Sequence, residues 1–200
     1  MTLRIVMVAA VLALAGCGTL SRPPAVNITR LQLLGEGAEI ARGEPLGLSI
    51  AVADANALPG FATPRFAYRE RDLELRYYGR HEWAASPERL LQPAVVRALD
   101  ESGRFSAVIS PSAIALADLR LELELTRLVH DFRDSDGGEV VLAVRVQLTS
   151  LADRRVLGTR AFEYREPASA NPVAGAQAAD RALARLLEDL VAFCADAAAR

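Results

Sequence analysis

Lysine is absent from this 200-residue chain, and the residues that most often carry chemistry are scarce: Cys17 and Cys194, His81 and His130, and a single tryptophan, Trp83. Each shortage removes a class of function. Two histidines without a Cys-x-x-Cys or His-Glu-x-x-His spacing leave no zinc site. The Gly-x-Ser-x-Gly turn that presents the nucleophile of lipases is missing. Basic residues number 23 against 25 acidic, a net charge of −2, and no basic block stands out. Nucleic acid and anionic lipid surfaces are therefore poor partners. All basic residues are arginine, which with abundant alanine reads as a coding bias. No apolar run approaches the roughly 20 residues that span a bilayer. There is no internal repeat.

What is present begins with Met1-Thr2-Leu3-Arg4, an apolar run from Ile5 to Leu14, and then Leu14-Ala15-Gly16-Cys17. One positive charge, a short apolar segment and small residues form a secretory signal peptide. Cysteine directly after Leu-Ala-Gly makes it a bacterial lipobox, with residues 1–16 removed and Cys17 becoming an acylated N-terminus. The alternative is an ordinary secreted protein with a cysteine near its cleavage site. Covalent diacylglycerol and an N-acyl chain such as palmitate are the only added groups expected; no cofactor or metal is. Residues 17–27 contain Pro23-Pro24 and read as a tether of at most roughly 35 Å. Gly18 rather than aspartate follows Cys17, which by similarity to enterobacterial lipoproteins implies the outer membrane, with the body facing the periplasm. Removal of residues 1–16 takes out only Arg4. Acylation of Cys17 leaves Cys194 unpaired in an oxidising compartment, so no internal disulfide is expected.

Residues 28–200 suffice for one domain. Ile28–Leu34 reads as an edge strand, and Leu46–Ala53 as a central strand buried on both faces. A loop to Pro64 follows, then a hairpin of Phe66–Arg69 and Leu73–Tyr78. Ser86 and Pro87 suit the start of a helix and Gly103 its end, with Leu91, Val95, Ala98 and Leu99 on one stripe. Pro93 predicts a kink or a late start. Phe105–Ile109 makes a short strand. Leu119, Leu121, Leu123 and Leu125 then alternate with polar residues, and a slip at Arg127-Leu128 predicts a bulge. A turn at 134–138 and another at 152–155 complete a meander ending near Glu166. Asn171-Pro172 opens a helix to about Ala198, burying Leu183, Leu187, Leu190 and Cys194. The expected fold class is α/β, a single domain with a mixed sheet, a long antiparallel meander, one parallel crossover and two main packed helices.

Catalysis needs a nucleophile, a base and an orienting group, and none are assembled here, so the chain is not expected to be an enzyme. His81 reads as part of a polar loop and His130 as a solvated or strand-end residue. Asp131, Asp134, Asp136 and Glu139 suggest calcium, but they lie between strands and suit a turn better. Cys194 reads as a buried hydrophobe. Glu122 and Glu124 read as a solvated face, and Arg65, Arg69, Arg71, Arg76 and Arg80 as a mixed surface balanced by nearby acids.

In order and spacing, these pieces resemble the ABC-type transport auxiliary lipoproteins (PqiC-like). The resemblance is carried by the lipobox at Cys17, the strand Leu48–Ala53, Pro64-Arg65-Phe66-Ala67-Tyr68-Arg69, His81-Glu82-Trp83-Ala84, the leucine-alternating strand and the alanine-rich final helix. Phe61-Ala62 stands where that family tends to tyrosine-leucine. The resemblance implies a non-catalytic periplasmic partner of an MCE-domain ABC transporter moving phospholipid or another hydrophobic substrate, and leaves homo-oligomerisation open. A structural or assembly lipoprotein without a transport role is the alternative. Tyr68, Arg69 and Trp83 are the candidate partner-binding residues, with Trp83 reading more readily as core than as contact.

Overall fold

The computed structural model describes residues 27–109, 117–133 and 138–200. Its elements in chain order are β1 (Thr29–Leu31), β2 (Ser49–Val52), β3 (Asn56–Ala57), β4 (Arg65–Arg69), β5 (Arg76–Trp83), α1 (Pro87–Glu101), β6 (Ala107–Ile109), β7 (Leu119–Asp131), β8 (Glu139–Ser150), β9 (Arg155–Pro167) and α2 (Pro172–Ala198). Cys17, the signal peptide, most of the tether and the turn residues Asp134 and Asp136 lie outside the described residues.

The leucine alternation of β7 forms because one face of the sheet meets helices and the other meets water. β7 pairs antiparallel with β8, and β8 with β9, which is the expected meander. The opposite edge of β7 is completed in pieces. β2 pairs at Leu119–Leu121, β3 at Glu124-Leu125 and β4 at His130-Asp131, all parallel. β6 then extends the sheet beside β2, and β5 and β1 extend it beside β4. The expected parallel crossover is β2–α1–β6. β1/β5 and the three short strands on β7 add parallel pairs that the sequence does not announce.

The predicted bulge is present between Leu125 and Arg127. Before it, Leu119, Leu121, Leu123 and Leu125 face the main core. After it, Leu128 does, and Val129 joins a small cluster with Ala67 and Val141 on the opposite face. An extra residue reverses which side chains point inward.

Helix α1 buries Leu91, Val95, Ala98 and Leu99 as expected, but two details differ. Ser86 is at the N-cap position without capping a backbone N–H, because its hydroxyl donates to Glu88. The helix runs through Pro93 without a break; that residue is on the exposed side, where solvent can take up the carbonyl left without a donor. Helix α2 is capped by the Asn171 side chain, which accepts from the Ala174 N–H at 2.8 Å. It lies on β8 and β9, burying Leu183, Leu187, Leu190 and Cys194 with a row of alanines. Burial pushes the Cys194 thiol up, so it stays protonated. No helix among the described residues is long and apolar enough to cross a membrane.

The chain leaving β1 is strapped to this helical layer. The Asp180 carboxylate accepts from the backbone N–H groups of Leu34, Gly35 and Glu36 at 2.6, 2.7 and 2.9 Å, and Arg97 donates to the Leu34 carbonyl at 2.5 Å. Gly35 has φ of 66°, and a Cβ there would stand 2.6 Å from Leu187 Cδ1. Both the backbone and the contact require glycine. Gly35→Ala is expected to cost about 2 kcal/mol from the left-handed φ and overpacking, and Asp180→Ala about 1 to 2 kcal/mol, since water can replace the carboxylate at the exposed Leu34 and Glu36 N–H groups but less readily at Gly35. Urea unfolding midpoints check both; unchanged midpoints would show that the strap contributes nothing to stability.

Candidate functional site

An aromatic run begins in the core and surfaces at the β4–β5 hairpin. Phe66 and Tyr68, two apart on β4, point to the helix-covered face. Phe66 packs against Trp83 with ring centroids 4.7 Å apart and against Tyr78 at 5.2 Å, and Tyr78 packs against Tyr68 at 4.8 Å. His130 and Phe132 pack beside them, tilted at 36° with ring centroids 4.2 Å apart. The outer rings border an open hollow of about 440 Å³ lined by Tyr68, Glu70, Tyr77, Tyr78, Phe132 and Ala170 with the Gly79 backbone. Tyr77 and Tyr78, successive residues of β5, project to opposite sides of the strand, so the hollow wraps its outer edge. Tyr77 carries the Arg65 guanidinium over its ring at 4.1 Å.

His130 is 0 % exposed, not solvated, because the bulge turns it under α2. A Cβ at Gly175, in the first turn of α2, would stand 2.6 Å from its Nδ1, so only glycine lets the helix approach. Nδ1 shares a hydrogen bond of 3.1 Å with the Tyr78 hydroxyl, while Nε2 has no partner among the described residues. Burial lowers the His130 pKa to about 4, against the charge of Asp131, and burial raises Tyr78 to about 12, helped by Tyr68 and Glu70. Both groups are neutral across the neutral range, so the pair acts there as a hydrogen bond within an aromatic floor rather than a proton relay.

On the other face, Asp131 lies opposite Arg69 in the β4/β7 register. It accepts from Arg69 and, at 3.0 Å on each oxygen, from the Arg133 fork, while Arg133 also reaches Asp72. Burial pushes the Asp131 carboxyl up, but the two guanidiniums outweigh it and hold it well below the usual carboxylate range. Among the described residues no three His, Cys, Asp or Glu side chains group to hold a metal.

The three sequence candidates therefore separate. Tyr68 borders the hollow. Arg69 is engaged with Asp131 on the opposite face. Trp83 is 1 % exposed, with its N–H backbone bonded to Pro64, so its indole serves the core and offers no surface to a partner. His81, expected in a loop, belongs to β5 opposite Thr29. Tyr77, Tyr78, His130 and Phe132 were not singled out for this site. The Tyr77-Tyr78 pair at the end of the expected strand is the available signal, and His130-x-Phe132 becomes meaningful only once the bulge sets its facing.

The buried imidazole makes stability depend on pH. Unfolded, His130 takes a proton near pH 6.5; folded, it does so only near 4. Stability is therefore full above pH 6.5 and falls on acidification toward 4, by up to roughly 3 kcal/mol. Asp131, held low, adds a further loss only as pH falls below the usual carboxylate range. Urea midpoints measured from pH 7 to 4 should decline in the wild type and flatten over that window in His130→Phe. A flat wild-type profile would contradict the burial argument.

The fold has solved counterparts. Protein XCC0632 from Xanthomonas campestris, described with the family DUF330, is 25% identical with a TM-score of 0.72, covering 79% of this chain and 91% of that chain. An uncharacterized protein shares the fold at 14% identity and TM-score 0.65, over 84% of this chain and 98% of its own. The hypothetical protein CT253 from Chlamydia trachomatis shares it at 10% identity and TM-score 0.54, over 76% and 98%. No curated protein matches the chain significantly. The family model of the ABC-type transport auxiliary lipoprotein component matches residues 32–191. That span runs from just past β1 into the last turns of α2 and contains every residue bordering the aromatic hollow. The chain belongs to the family of ABC-type transport auxiliary lipoprotein components.

Proposed function

We propose that this protein is a non-catalytic auxiliary subunit of an MCE-type ABC transporter, anchored through acylated Cys17 to the outer membrane and facing the periplasm, where it assists movement of phospholipid or another hydrophobic substrate. The observation that carries the reading is the family match across nearly the whole folded body, with the lipobox Leu14-Ala15-Gly16-Cys17 a short way upstream. One body with one anchor suits a subunit held at a bilayer. Two or three acyl chains contribute about 0.8 kcal/mol per buried CH₂, enough for stable anchoring where a single chain is marginal.

The buried neutral Tyr78–His130 pair supports a binding rather than a chemical role for the hollow. Half-exposed tyrosines on a rigid sheet supply contact area at little entropic cost.

Tagged mature protein, solubilised from its own membranes, is expected to co-purify an MCE-domain protein together with the transporter's permease or ATPase. Recovery of outer-membrane assembly proteins without any transporter component would favour a structural lipoprotein and overturn this reading.

A further inference from the structure

At the tip of the β4–β5 hairpin, Leu73 has φ of 62°, the left-handed region that leucine rarely adopts, and its side chain stands fully in solvent. Such strain, with no packing in return, gives the fold nothing. The tip around it is nonetheless tied down. Arg71 pairs with Glu74 at 3.7 Å, and Arg76 pairs with Glu70 at 3.2 Å and with Glu74 at 3.3 Å. Asp72 pairs with Arg133, just past β7. The collar below Leu73 is thus three acids and three arginines, paired with one another and without net charge. Leu75 continues the apolar surface. A Cβ at Gly60 would stand 3.0 Å from Leu75 Cδ2, so this side chain leans on the turn after β3, where Leu58 is also exposed.

The topology places this tip at a particular end of the body. β1 runs parallel to β5, so the chain enters β1 from the end of the sheet at which β5 leaves the hairpin. Thr29 lies opposite His81, which is five residues, or about 17 Å, along β5 from Arg76. Asn27, the first described residue, is ten residues from Cys17, a span of at most roughly 35 Å. The tip is therefore no further from the start of β1 than the tether can reach.

We propose that the Leu73 tip of the β4–β5 hairpin is a membrane-contact point, its leucine entering the same leaflet that holds acylated Cys17, a placement that rests on the anchor reading above. A bilayer suits this tip on two counts. An apolar side chain that projects alone needs no complementary pocket when the receiving medium is hydrocarbon. A self-paired, neutral collar approaches zwitterionic headgroups without giving up a charge partner and gains nothing from anionic lipid, in keeping with the near-neutral chain as a whole. One leucine is far less than the single acyl chain that by itself gives only marginal binding, so the contact does not hold a free body at a surface. It acts because the anchor keeps the tip at high effective concentration beside the leaflet. Its effect is orientation: with the tip down, the aromatic hollow, whose lining includes Glu70 at the base of the hairpin, stands close to the headgroups.

Full-length lipidated protein in phosphatidylcholine vesicles containing a small fraction of nitroxide-labelled lipid tests this. Leu73→Cys and Val156→Cys each receive an NBD label; Cys194 is buried and Cys17 acylated, so each variant offers one reactive thiol. Val156 is exposed beside the β8–β9 turn, at the opposite end of the sheet. The 73 label should be quenched about threefold more strongly than the 156 label. With the label moved to Leu75→Cys, Leu73→Gly should lower quenching about twofold while leaving the urea midpoint unchanged or higher, because glycine takes the left-handed φ without strain. Equal quenching at 73 and 156, quenching at 75 that ignores Leu73→Gly, or a body destabilised by that substitution would overturn the proposal. Protection of the 73 label in native envelope membranes but not in lipid vesicles would assign the tip to a protein partner and overturn it too. Protein that fails to float with the vesicles would refute the anchor itself; floating protein with an unquenched tip refutes the membrane contact alone. The vesicles hold no transporter, so the outcome is independent of which proteins co-purify.

Discussion

Strand β7 has to satisfy two edges over thirteen residues, and the way it does so organises the rest of the molecule. Buried backbone groups left unpaired cost about 1–3 kcal/mol each, so neither edge can stay open beneath the helices. β8 closes one edge along the full length. The other is closed by β2, β3 and β4 in succession, drawn from a long and otherwise loop-rich stretch. Segments with little local preference for strand are thereby held in register by a partner that strongly prefers it. The bulge at Leu125/Arg127 adds the decisive local event, because it inverts the facing of the last third of β7. His130 is turned into the aromatic layer and Asp131 toward Arg69 and Arg133.

Two environments follow from that one extra residue. Under α2, an imidazole too buried to ionise shares a hydrogen bond with Tyr78 and floors a layer of rings. On the other face, a buried carboxylate is stabilised by two guanidiniums and locks β4 to β7. Together they fix the hairpin that presents Tyr68, Tyr77 and Tyr78, while Arg76 to Arg80 of β5 have no partner on the outer edge among the described residues.

Much of this architecture was legible. The meander was visible because alternating leucines against charged residues can satisfy only a half-buried strand, and the slip at Arg127-Leu128 marked the bulge. The stripe of Leu183, Leu187, Leu190 and Cys194 placed α2 correctly. Parallel pairing was largely invisible: β3 is two residues long, and nothing in Asn56-Ala57 names Glu124-Leu125 as its partner. Pro93 does not delay the start of α1, because it lies on the exposed side, and propensity does not say which side of a helix meets water. Trp83 read more readily as core than as contact, and its indole is buried. His130 escaped because the facing of a residue beyond a bulge depends on pairing, not on composition. The hollow needed residues from β4, β5, β7 and the chain before α2, whose proximity no local pattern encodes.

In the proposed function this body is held at a membrane by its acylated seventeenth residue. Mass spectrometry of the intact protein purified from membranes tests that most directly. The account predicts a chain beginning at Cys17 and carrying a diacylglyceryl group with an N-acyl chain. A chain that retains residues 1–16 with an unmodified Cys17 thiol would contradict it.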